Sequence, residues 1–387
     1  MSVPESSKSA PTSPPSSRKR ERLFRLVTIG FMLVFVAAGA LAAEFAARYR
    51  ERHRDPPSDY FPTIYYPHRR LRYGLVPNVD YYGWFKINSM GFRGREVSRQ
   101  KPPGTFRIIC LGGSTTFDSG SVGRALPWPE VVETELRRRL KTESIEVLNL
   151  GIGGAMSLDS LIDLQMRALD LQPDLIIVYQ THNDLIYSIP PPYRESTDLF
   201  PLEDRPRSRF VRWLTYHSLL YAKSEERVFG TLSSITGAIE GVFGVGREPG
   251  DDREAGMELG LANFRSHINS MAAIARANGI ALALVEVTVP FADGTARPGE
   301  CRHCDALSET YGAVPIDKLH TMFSRYNEAL MQVAASGPGV HHIPTQGFVP
   351  AADRYYHDPV HFGPEGSLQF GTKLAEAVAP IVTGLGQ

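Results

Sequence analysis

Ser114 lies in "RIICLGGSTTFDSG" (107–120), where an apolar run ends in two glycines and a hydroxyl. A serine in such a turn becomes a nucleophile only with a base in hydrogen-bond reach and a group that orients the base. "YYHDPVHFGPEG" (355–366) carries Asp358 and His361 three residues apart. That spacing lets the carboxylate accept the imidazole Nδ1 proton while Nε2 faces outward. His357 is a rival base, but it has no Asp three residues before it. A carbonyl under attack also develops an oxyanion that needs donors. "NLGIGGAMS" (149–157) offers backbone N–H groups in a glycine turn, and "QTHNDL" (180–185) offers Asn183. Together these residues suit acyl transfer through a serine ester.

Other uses of a glycine-rich turn fit less well. A phosphate loop needs a Gly-Lys-Ser/Thr ending, and no Lys follows Gly112 until Lys141. A dinucleotide fingerprint needs glycines at its first, third and sixth positions; "GGSTTF" lacks them and "GIGGAM" ends in Met. The nucleophile elbow of α/β-hydrolases has glycines two positions either side of the serine, and here Gly112 matches but Thr116 does not.

The four segments must be brought to one place, and the pattern from residue 106 onward does this with strands alternating with helices around a parallel sheet. Strands are predicted at 106–111, 145–150, 174–180 and 280–289, with a short one near "VHHIPT" (340–345). Apolar periodicity predicts helices over 128–142, 157–171, 258–279, 315–336 and from Pro364 to about Val382. In such a sheet the loops at the carboxyl ends of strands carry the ligand site, and the four segments fall on those loops. The expected fold is α/β, a flavodoxin-like three-layer sandwich with a central parallel sheet, preceded by an N-terminal transmembrane helix.

The 387 residues suffice for one large domain or two ordinary ones. Forty-two Lys plus Arg balance 42 Asp plus Glu, so no overall field favours nucleic acid. Residues 1–22 read as a disordered basic tail, opening on "MSVPESSKSAPTSPPSS". Residues 23–47, centred on the uncharged "LVTIGFMLVFVAAGALAA", read as a transmembrane signal anchor, with a signal peptide cut after Ala40-Leu41-Ala42 as the competing reading. Arg18, Lys19, Arg20, Arg22 and Arg25 precede the span, against Arg48, Arg50, Arg52 and Arg54 after it. That count tips toward the tail inside and the large domain outside the cytoplasm. Residues 48–105 read as an extended lead-in, with a small β segment from 55 as the other reading, and 106–387 as the main domain with an insertion at about 186–255.

Cys110, Cys301 and Cys304 are too few for a disulfide framework, and Cys110 belongs to an apolar run. "CRHC" (301–304) would need two more ligands to hold zinc, although His303 and His320 are near along the chain. A local disulfide and two plain thiols are the other readings. No metal and no cofactor are expected.

The four blocks, in this order, resemble the SGNH (GDSL-type) hydrolase family over about 106–380. The resemblance implies that Ser114 is the nucleophile and that its backbone N–H is one oxyanion donor. It implies Gly154 as the second donor, Asn183 as the third, His361 as base and Asp358 as its orienter. Gly113 stands where the family usually has Asp. His182 replaces the glycine that usually precedes the Asn, a bulky group expected to narrow the pocket or touch substrate. Gly153 and Gly154 are adjacent, so the donor assignment lies between them. The implied activity is a serine esterase acting through an acyl-enzyme on acyl esters, O-acetyl included, of a carbohydrate or other envelope substrate such as acylated polysaccharide. An O-acyltransferase with the same triad and a catalytically silent membrane-anchored scaffold are the alternatives. The partners expected are the ester substrate and a membrane, with no nucleic acid; oligomeric state stays open.

Overall fold

The computed structural model describes residues 15–53, 64–68, 71, 73–81, 83–121, 125–189, 211, 214, 218–221, 223, 224, 251–290 and 302–385. Its centre is a parallel sheet of β5 (Phe106–Gly112), β6 (Ile145–Asn149), β7 (Leu175–Tyr179), β8 (Ala281–Val285) and β9 (Val340–Ile343), in the order β6-β5-β7-β8-β9. The chain moves from β5 to β6 on one side and then to β7 on the other, the flavodoxin-like order. A crevice therefore opens between the carboxyl ends of β5 and β7.

Successive strand residues face opposite sides, so continuous apolar runs supply two cores at once. Ile108 and Cys110 of β5 pack with Ile177 of β7 against α3 (Trp128–Leu140) and α9 (Pro364–Leu385). Ile109 and Leu111 pack with Ile176 on the other side. There they meet α4 (Ser157–Asp163), α6 (Asp251–Ala277) and α8 (Ile316–Ala334). The result is a three-layer α/β sandwich with Cys110 fully buried as a small apolar residue.

Short helices α2 (Ser114–Phe117) and α5 (His182–Ser188) follow β5 and β7 directly, and α7 (Arg302–Thr310) occupies what the sequence suggests is a loop around the Cys pair. The N–H groups of Arg302 and His303 point at Asp353, both at 3.4 Å, a cap from a distant loop that local sequence does not reveal. Cys301 lies outside the described residues, so the pair's pairing lies there too. Strand β8 ends at Val285 and not at 289, because the amides after Glu286 turn away from the ladder: Val287 N–H donates to Asn327 Oδ1 (3.1 Å) and Thr288 N–H to Tyr179 Oη (3.3 Å). The helix predicted over 157–171 is divided by a wide π turn at Leu164–Ala168, which keeps Leu164 and Ala168 both in the core while Arg167 pairs with Asp163.

Helix α1 (Pro15–Arg52) begins inside the segment expected to be an unfolded tail. Pro15 at its first position and the helix-forming run "RKRERLFR" account for the extension. It is long and apolar enough to cross a membrane, and its apolar side chains from Leu23 to Phe45 are exposed. At its far end Glu44 accepts hydrogen bonds from Ser218 Oγ (2.8 Å) and the N–H groups of Leu219 and Leu220 (both 2.9 Å), which belong to the insertion.

Of the two readings of the lead-in, its described residues form the small β segment. Hairpin β1 (Tyr65–Pro67) and β2 (Tyr73–Leu75) and hairpin β3 (Val79–Tyr81) and β4 (Phe85–Ile87) share a small core that includes Phe117 of α2. Bridges from Arg93 to Ile87 and to Asn149 tie this unit to the end of β6.

Candidate active site

Ser114 opens α2 at the carboxyl end of β5, and Asp358 and His361 lie on the loop leading into α9. His361 Nε2 is 2.8 Å from Ser114 Oγ, and His361 Nδ1 is 2.6 Å from Asp358 Oδ2. Asp358 Oδ1 accepts the N–H groups of Val360 (2.7 Å) and His361 (2.8 Å), and His361 O accepts His357 N–H (2.9 Å). This tight turn explains why three residues of spacing suffice to point the ring at a serine 247 residues away. The imidazole reaching Ser114 belongs to His361; His357 sits beside Gly120, where an added Cβ would come within 2.8 Å of its own Cβ.

Burial alone would lower the His361 pKa, but the charge of Asp358 and the hydrogen bond to it outweigh burial and raise it above its ordinary value. Burial pushes Asp358 the other way, yet His361 and the two backbone N–H groups hold its carboxyl well below the usual carboxylate range. The carboxylate is therefore ionised wherever the imidazole can act as base. A neutral imidazole is the active form, so activity should fall as pH drops through the raised His361 pKa. In Asp358→Asn the raising influence is gone, and the acidic limb of kcat/KM should move to lower pH while its plateau falls about 10²- to 10⁴-fold. A pH–rate profile of the two proteins checks this; an unmoved limb contradicts it.

The loop after β6 runs against the nucleophile turn: a Cβ placed on Gly153 would lie 2.4 Å from Tyr65 Oη and 4.0 Å from Ser114 Cβ. The Gly153 N–H donates to the Tyr65 hydroxyl, and Gly154 follows at φ +74°, a conformation natural to glycine. Asn183, the second residue of α5, donates from Nδ2 to Ala155 O at 2.8 Å. The same Nδ2 fills the space beside Gly113, where a Cβ would approach it to 2.6 Å. The glycine that departs from the family's Asp is thus the one against which the Asn183 amide packs.

His182 does not face the crevice. It is buried, with Nδ1 2.6 Å from Tyr311 Oη and its ring edge-on to Phe323 at 5.5 Å. Burial first, and the nearby His361 second, depress its pKa to about 3, so it stays neutral. The expectation that it touches substrate is corrected: at 3% exposure the ring has no surface left for a ligand, its Nδ1 being held on Tyr311, and Asn183, the next residue of α5, is the one that lies beside the Ser114 turn.

Residues not singled out by the sequence hold this arrangement. Asp184 is buried, accepting Ser157 N–H (3.0 Å) and Gln180 Nε2 (2.9 Å), and burial pushes its pKa up to about 6. Gln180 Nε2 also reaches Ala155 O at 2.9 Å, so the loops after β6 and β7 are bound together. Trp128 is fully buried and its Nε1–H donates to Thr115 O at 2.8 Å. Thr116, where an elbow glycine would stand, donates from Oγ1 to Tyr179 O at 2.9 Å. Among the described residues no group of three or more His, Cys, Asp or Glu is placed to hold a metal.

The family model for the GDSL-like lipase/acylhydrolase family matches residues 110–368. No curated protein matches the chain. Similar solved structures include the lipase/acylhydrolase from Enterococcus faecalis, at 14% identity and TM-score 0.41, covering 72% of this chain and 97% of that one. A lipase from a goat rumen metagenome is 15% identical at TM-score 0.42, covering 70% and 97%. A catalytic mutant of an acetylxylan esterase from Geobacillus stearothermophilus is 12% identical at TM-score 0.41, covering 73% and 96%.

Proposed function

Because the chain belongs to the GDSL-like lipase/acylhydrolase family and is therefore an ester-bond hydrolase, we propose that it cleaves acyl esters, O-acetyl among them, of a carbohydrate or other envelope constituent through an acyl-enzyme on Ser114. The observation that carries this reading is the hydrogen-bonded line from Asp358 through His361 to Ser114 Oγ, with links of 2.6 and 2.8 Å. Ser114 Oγ attacks the ester carbonyl while His361 Nε2 takes its proton, then returns it to the departing alcohol. Water, deprotonated by the same nitrogen, attacks the acyl-enzyme and releases the acid. The Ser114 N–H, the Gly154 N–H and Asn183 Nδ2 stabilise the oxyanion in both halves.

What supports the envelope part is α1, whose exposed apolar length suits a membrane anchor or a signal sequence, and the slight excess of basic residues before it, which favours a catalytic domain outside the cytoplasm. The test is release of free acetate from a panel of O-acetylated polysaccharides by the full chain in detergent micelles, beside p-nitrophenyl acetate as a generic ester. Release from a polysaccharide is expected. Cleavage of the generic ester with every polysaccharide left intact would contradict the carbohydrate part.

A further inference from the structure

The turn that presents Ser114 is too short to hold itself. One helical turn, Ser114–Phe117, is far below the length at which helices are stable alone. It ends at Asp118 in the left-handed region, φ +66°, a conformation that a residue with a Cβ adopts less readily than glycine. The carbonyls at such an end have no partner within the helix. Here one side chain serves two of them and a third carbonyl in the loop that follows. Arg93 donates from Nη1 to Phe117 O (2.6 Å) and Asp118 O (2.7 Å), and from Nη2 to Ser121 O. Its guanidinium is buried against both the Phe85 and Phe117 rings, 5.3 and 4.8 Å from their centroids.

A buried cation is a poor way to gain stability, since well-packed apolar residues of like volume often do as well. What the planar fork adds is fixed geometry at several acceptors at once. Arg93 comes from the lead-in, outside the 110–368 span that matches the family. The same lead-in grips the facing loop, where Tyr65 Oη accepts the Gly153 N–H.

We propose that the lead-in is a working part of the active site, with Arg93 and Tyr65 as positioning residues for Ser114 and for the oxyanion loop. This rests on the reading of Ser114 as nucleophile. Displacing a nucleophile by about 1 Å costs on the order of 10²-fold in rate. In the full chain in detergent micelles, Arg93→Lys keeps the charge and loses the fork. Its kcat on p-nitrophenyl acetate should fall about 10- to 100-fold with KM within about twofold. Phosphonylation of Ser114 by a fluorophosphonate should slow in the same ratio, with the melting transition kept. Tyr65→Phe should lower kcat about fivefold at unchanged KM, the equivalent of one hydrogen bond.

Wild-type kcat and phosphonylation in a folded Arg93→Lys would overturn the inference, as would losses that only track the folded fraction. Should Arg93→Lys not fold, wild-type kcat in Tyr65→Phe overturns it. Ser114→Ala separates the two levels. If that variant stays active, the nucleophile reading falls and takes this one with it. If it is silent while both lead-in variants match wild type, the positioning role alone fails.

Discussion

Replacing Ser114 by alanine is expected to remove ester turnover, lowering kcat by about 10⁴- to 10⁶-fold. The Ser114 hydroxyl is the group 2.8 Å from His361 Nε2, donating its proton to that nitrogen in the reactive form. His361→Ala should cost about as much, because an unassisted serine hydroxyl is a weak nucleophile at neutral pH. The double variant should be no slower than either single one, since the two side chains act as one unit. Steady-state kinetics on p-nitrophenyl acetate checks all three; additive losses would mean that serine and histidine work separately.

The second large effect is expected at Asn183. An amide Nδ2 carries two N–H groups, and one is spent on Ala155 O at 2.8 Å, which fixes the plane of the other beside the nucleophile turn. A donor held in this way costs no reorganisation when charge develops on the substrate oxygen. Asn183→Ala should therefore lower kcat about 10²- to 10³-fold, with KM changed little because the contact strengthens only in the transition state. A loss confined to KM would instead assign Asn183 to ground-state binding.

How far the site can be read from the sequence depends on the distance over which each contact is made. Asp358 and His361 are legible because one turn holds both, and Ser114 because a buried strand must end where Gly112 and Gly113 stand. The strand order follows from alternating elements, which leaves few ways to build a parallel sheet. Arg93 is different. Its three acceptors lie 24 to 28 residues away, and nothing in "INSMGFRG" distinguishes it from the other arginines of the lead-in.

The same holds for α7, whose N–H groups are met by Asp353 some 50 residues on. His182 shows the opposite failure: its residue type suggested a substrate contact, while the inward direction of its side chain depends on Tyr311, 129 residues later in the chain. Local spacing thus predicts the triad, and long-range polar contacts decide what holds it in register.

The most direct test is to treat the full chain in detergent micelles with a fluorophosphonate, digest it and locate the adduct by mass spectrometry. An ester-cleaving serine reacts because its base has raised its nucleophilicity, so a single adduct on Ser114 is expected, and it should vanish in His361→Ala. An adduct on a different serine, or equal labelling of Ser114 with and without His361, would contradict the account.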